Sequence, residues 1–131
     1  MCIVPIHYPL KLENTSYGPL LTPQIEFELS TVYGWRPYSF LVDTGAEFTV
    51  VPEYLADLAG VDLMQCAKEY SVGIEGRPSP AKVGTITIRL GSEILSLRCH
   101  FLKSKSTPFL LGRMDLFSHF NVLFQNDQRR I

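Results

Sequence analysis

The sequence lacks the features that would place it quickly in several large classes. Its 131 residues include three cysteines, Cys2, Cys66 and Cys99, widely spaced and without a CxxC pair. This argues against a disulfide framework or a cysteine-based zinc module and leaves reduced thiols as the expectation. The histidines, His7, His100 and His119, show no metal-ligand spacing, so no metal and no cofactor is expected. Neither charge predominates: 12 Lys and Arg against 13 Asp and Glu give a formal net charge of -1, which argues against nucleic acid or a membrane surface as a partner selected by charge. No apolar run approaches the roughly 20 residues of a membrane span. The opening stretch "MCIVPIHYPLKLENTS" lacks the basic start and small-residue cleavage site of a secretion signal, and a cytoplasmic location is therefore expected.

What is present is the composition of a globular domain, 46% hydrophobic and 19% charged, long enough to bury roughly two thirds of the surface of its unfolded chain. Residues 1–20, with Pro5, Pro9 and Pro19, read as an irregular N-terminal arm or edge strand, and residues 21–131 as the domain. In "PQIEFELS", Ile25, Phe27 and Leu29 alternate with polar residues at the period of a half-buried strand. Tyr33-Gly34 marks a turn, and "YSFLVD" returns as a second strand. After "DTGA" a third strand, "FTVV", is stopped by Pro52, which also reads as the first position of a short surface helix with Leu55, Leu58 and Ala59 on one face and Gly60 at its end.

Further on, "TITIRL" and "LSLRCHFL" flank Gly91-Ser92 as a second hairpin, with Leu95, Leu97, Cys99 and Phe101 on the core face and His100 on the polar face with Ser96 and Arg98. "PFLLG" reads as a short buried strand. "RMDLFSHF" reads as a helical turn or two with Met114, Phe117 and Phe120 inward, and "NVLF" as a last strand. Six or seven short strands with two short helices predict a mostly-β domain of the closed or sandwich kind.

The stretch "FLVDTGAEFTVV" stands apart, because it sets a carboxylate between two strand-forming apolar runs. Strand interiors disfavour Asp, and a desolvated carboxylate needs partners. One reading is an Asx turn, in which Asp43 bonds its own backbone and Gly45 relieves strain. The other is chemical. Asp43-Thr44-Gly45-Ala46 resembles the active-site loop of the aspartic proteases, and "FLLGRMDLF" resembles the second signature of their retropepsin-like branch, in which an apolar pair and Gly-Arg open a C-terminal helix. Between them, "YSVGIEGRPSPAKVG" occupies the position of the flap. The resemblance spans about Gln24 to Phe124.

It implies a retropepsin-like half-lobe, a closed β-barrel or sandwich with one or two short helices, acting as a homodimeric aspartic endopeptidase on peptide or protein substrates. A pepsin-like enzyme carries two such loops. This chain has one, since Asp57, Asp62, Asp115 and Asp127 lack a following Thr-Gly or Ser-Gly, so each subunit would contribute one Asp43 to a shared pair. By the same resemblance Thr44 would interlock across the interface, Gly45 would meet substrate through its carbonyl, and Ala46 and Glu47 would bind substrate at the rim. Gly73, Ile74, Glu75 and Gly76 would bind it from the flap. Leu111, Gly112 and Arg113 would support the loop, with Glu47 paired to Arg113.

Three departures from the viral enzymes stand out: Pro78 and Pro80 beside a flap poor in glycine, a longer segment between loop and flap, and Met114-Asp115 after the Gly-Arg, where Asp115 is expected to help start a helix. Two other readings remain open. One is a non-catalytic dimerisation or peptide-binding module of the same fold. The other is an unrelated small β-barrel that binds a ligand, with "DTGA" as an ordinary turn.

Overall fold

The computed structural model describes residues 5–73 and 76–131. Nine strands and one short helix follow in order: β1 (Lys11–Thr15), β2 (Gly18–Thr22), β3 (Gln24–Thr31), β4 (Gly34–Val42), β5 (Thr49–Pro52), α1 (Leu55–Ala59), β6 (Ala67–Val72), β7 (Pro78–Leu90), β8 (Glu93–Leu102) and β9 (Leu110–Leu111). Seven of them form one sheet in the order β3-β4-β9-β5-β8-β7-β6. A further pairing of β3 with β7, at Leu29 with Ile88, closes the sheet into a barrel and leaves β6 outside the ring. The closed, mostly-β fold expected from the alternating pattern is thus observed.

The alternation decides which side chains fill the barrel. Ile25, Phe27 and Leu29 of β3 are buried together with Ile86, Ile88 and Leu90 of β7 and Leu95, Leu97, Cys99 and Phe101 of β8. Burial pushes the Cys99 thiol up to about 12, with a smaller contribution from Cys66, so Cys99 is an inert core side chain. Gly91 turns β7 into β8 at φ 58°, a conformation open to glycine at little cost.

The stretch expected as an irregular arm or edge strand contains a hairpin of its own, β1 with β2. Its turn repeats the chemistry of the β3–β4 turn. In Thr15-Ser16-Tyr17-Gly18 and again in Thr31-Val32-Tyr33-Gly34, the Thr Oγ1 donates to the Gly carbonyl and accepts the Tyr N–H. The two turns close by the same side-chain caps.

Three other expectations are corrected. Pro52 ends β5 opposite Leu102, and the helix begins only at Leu55, with Leu55 and Ala56 fully buried while Leu58 and Ala59 pack at the margin. The Glu53 N–H donates to the Leu102 carbonyl at 2.7 Å, so the β5–β8 pairing holds the chain extended where the helix was expected to start. After β9 the expected helical turns are present at residues 113–120 without a continuous helix, Phe117 N–H donating to Arg113 O and Phe120 N–H to Leu116 O. Asp115 sits at φ 67° and does not start one; its carboxylate instead accepts the Arg98 backbone N–H and both Nε and Nη2. Those hydrogen bonds hold the Asp115 carboxyl below its ordinary range. Leu116 is buried there and Phe120 packs at the core margin, while Phe117 is exposed. "NVLF" is not a strand. Gln125 and Arg130 exchange backbone hydrogen bonds around a turn with Arg129 at φ 51°, and the returning segment pairs Ile131 with Tyr8. Residues 121–124 join no strand, and Val122 packs against the core margin.

Candidate active site

Strand β4 delivers Asp43 to the end of the barrel. Its parallel pairing with β9 is prolonged by hydrogen bonds from Leu41 N–H to Phe109 O and from Asp43 N–H to Leu111 O, at 2.9 and 3.0 Å. The chain then turns sharply. Asp43 Oδ1 accepts the Gly45 N–H at 2.9 Å, and the Asp43 carbonyl accepts the Ala46 N–H at 3.1 Å. The Asx turn of the plainer reading is therefore present, and it fixes the carboxylate rather than consuming it: among the described residues only Oδ1 is bonded. Asp43 is half-buried, and Thr44 and Gly45 are exposed at the loop's tip.

The segment that follows β9 clamps the other arm of the loop. Arg113 N–H donates to Ala46 O and Met114 N–H to Glu47 O, at 3.0 and 2.7 Å. Gly112 N–H donates to the fully buried Thr49 Oγ1 at 3.1 Å. A Cβ at Gly112 would lie 2.4 Å from the Phe48 carbonyl carbon and oxygen, so this close approach admits only glycine. The expected Glu47–Arg113 side-chain pair is not among the ion pairs of the described residues; both side chains are exposed, and the two segments meet through main chain instead. Leu111 is buried, and Gly112 packs against the Phe48 backbone. Thr49 was not anticipated, although a threonine opening an apolar strand is a signal for a buried side-chain-to-backbone bond.

Asp43, Gly45, Ala46 and Glu47 open onto a cleft of about 1150 Å3. Its far wall is the hairpin of β6 and β7, which presents Tyr70, Val72 and Gly73. Beyond Ala81 the strand β7 has outrun β8 and pairs with β6 alone. Pro78 and Pro80, two residues apart, therefore leave no ladder partner unsatisfied on the free edge. Gly76 N–H donates to Gly73 O at 2.9 Å across the end of the hairpin. Ile74 and Glu75 lie outside the described residues.

One cleft residue overturns its expected surface role. His100 is 5% exposed, its ring stacked on Phe48 with centroids 4.1 Å apart and planes at 16°, and its Nε2 stands 3.3 Å from Glu69 Oε2. Strand alternation correctly set His100 opposite the barrel core. It could not report that β5 runs beside β8 in parallel, bringing the active loop's Phe48 over that face. The usable signal was the lone aromatic directly after the acidic loop.

The chain matches the gag-polyprotein putative aspartyl protease family over residues 31–119, two thirds of its length. It belongs to that aspartyl protease family. The family match takes in the Asp43 loop, the β6–β7 hairpin and the Gly112-Arg113 segment, and leaves out the β1–β2 hairpin and the final residues. No match was found among curated proteins. Membership in this retropepsin-like family agrees with the resemblance read from "DTGA" and "FLLGRMDLF".

Proposed function

We propose that the protein is an aspartic endopeptidase whose active site forms when two copies bring their Asp43 loops together. What carries this reading is Asp43 itself: a carboxylate held by the Gly45 N–H at the mouth of a peptide-sized cleft, on a loop whose exposed tip faces outward. Hydrolysis of a peptide bond by this chemistry needs two carboxylates about 3 Å apart that share one proton, since two negative charges at that separation do not persist together. The ionised partner takes a proton from the attacking water. The protonated partner donates to the scissile carbonyl and offsets the charge that develops on its oxygen.

One chain supplies a single Asp-Thr-Gly, so the second carboxylate comes from a second copy related by a twofold axis. The four hydrogen bonds between residues 111–114 and residues 43–49 give each loop a fixed shape before the copies meet, which limits the ordering that association requires. Thr44 lies at the contact between loops, and Gly45 through Glu47 line the substrate channel. The β6–β7 hairpin serves as the flap over an extended peptide in the cleft.

The test is cleavage of a peptide library by the wild type and by Asp43→Asn, with and without a statine-type transition-state analogue, across a dilution series. Cleavage that is abolished by the substitution, blocked by the analogue and lost faster than linearly on dilution is expected. Peptide binding without turnover overturns the catalytic assignment, and activity proportional to concentration at every dilution overturns the two-copy site.

A further inference from the structure

Among the described residues the β6 strand has no ladder partner other than β7, and β7 itself leaves the barrel at Pro78–Pro80. Such an arm, hinged along one strand, has little to fix its height above the cleft. Against this, one side-chain bond runs directly from β6 to the barrel. Glu69 reaches across β7 at its register partner Ala81 and meets His100 of β8. An ionised carboxylate only accepts, so in this bond Nε2 carries the proton and donates. The same imidazole lies flat on Phe48, five residues beyond Asp43 and next to the carbonyl that Gly112 abuts.

We propose that His100 is a positioning residue that sets the spacing between the hairpin and the catalytic loop, with its Nε2 holding Glu69 and its ring face holding Phe48. This rests on the protease reading for its kinetic consequence and on the geometry alone for its mechanical one. His100 is buried between a half-exposed Glu69 and the loop aromatic. A buried imidazole that only filled space would have no reason to carry a carboxylate from outside the barrel ring. The ring–ring contact is nearly parallel and close, a geometry that resists sliding of Phe48. The hairpin and the loop are thus joined through one side chain, and a peptide entering the cleft meets walls of set separation.

The two halves of the contact can be severed separately. His100→Phe keeps the stack and removes the donor; Glu69→Ala removes the acceptor; Glu69→Gln keeps an acceptor. Losing one hydrogen bond of this kind corresponds to roughly three- to tenfold in an equilibrium constant. His100→Phe and Glu69→Ala should each raise KM for a peptide by about that factor, with kcat changing much less. Glu69→Gln should recover most of the Glu69→Ala loss, and the double variant His100→Phe/Glu69→Ala should be no worse than either single one. Hydrogen exchange should quicken at β6 amides in His100→Phe while β8 amides keep their protection. Losses that multiply in the double variant, or exchange that quickens in β6 and β8 together, would mean a merely structural histidine and overturn the proposal. If the wild type cleaves nothing, the protease reading fails, and the exchange comparison then decides the tether by itself.

Discussion

From Ala81 to Leu90, strand β7 is paired with β8 along its length and touches β3 at Ile88 and Arg89, and its inward side chains Ile86, Ile88 and Leu90 are buried. From Pro78 to Pro80 the same strand is paired with β6 alone and borders the cleft, across from exposed Tyr70 and Val72. One continuous ladder therefore passes from a region held by close packing to one held, among the described residues, by main-chain hydrogen bonds and the His100–Glu69 contact. Packing stabilises in proportion to buried apolar area, and the arm has little of it. The barrel end should behave as a rigid base and the β6–β7 end as a wall that yields except where the His100–Glu69 contact ties it down.

The largest effect expected is at the packed end. Ile88 is 0% exposed within the barrel, and Ile88→Ala should cost about 2–5 kcal/mol of stability, combining lost transfer energy with a cavity. Chemical denaturation of the two proteins measures this. A loss below about 1 kcal/mol would show that the barrel interior is loosely packed and that the contrast along β7 is weaker than its burial indicates.

Between the two ends lies the Asp43 loop, which depends on the barrel for its shape. Gly112→Ala sets a methyl group against the Phe48 carbonyl at a separation no real contact tolerates. Overpacking of this kind costs about 1–3 kcal/mol. The relief available is a shift of the loop, and a displacement on the order of 1 Å at the reacting group can cost a hundredfold in rate. Gly112→Ala should therefore lose peptide cleavage more severely than it loses thermal stability. Equal retention of both would mean that the loop and the Gly112 segment are not in register as described.

How much of this was legible in the sequence divides along physical lines. Period-2 alternation located β3, β7 and β8, because one face of each is buried in the barrel and burial is what the pattern encodes. "DTGA" and "FLLGRM" located the loop and its clamp, since a turn at Asp43 and a close approach at Gly112 each demand particular residues. The clamp's mechanism was not legible. The resemblance implied a Glu47–Arg113 side-chain pair, whereas the contact runs through backbone N–H and C=O groups that every residue carries. His100 was misjudged because alternation names the face and not its cover. The β1–β2 hairpin was missed, although its turn repeats that of β3–β4, because β1 is exposed throughout and carries no alternation imposed by burial, and "NVLF" was taken for a strand because its composition suits one. Local propensity yields to tertiary placement in both directions.

The smallest effect on stability, with the functional effect confined to peptide affinity, is expected at the free end of the hairpin. Val72 is 65% exposed, lies opposite Pro78 in the last described pair of β6 with β7, and faces the cleft. Because its side chain is largely in water in the free protein, Val72→Ala should alter folding stability by no more than about 0.5 kcal/mol. A bound peptide would cover that side chain, so the substitution removes apolar area that is buried only in the complex. At the usual value per unit area this is on the order of 1 kcal/mol, or about fivefold in KM. Paired with Ile88→Ala, the measurement separates the two ends of one strand: stability moves at one and peptide affinity at the other. A fall in melting temperature for Val72→Ala comparable to that of Ile88→Ala would make the hairpin part of the rigid base. An unchanged KM with unchanged stability would place the peptide elsewhere in the cleft, away from β6.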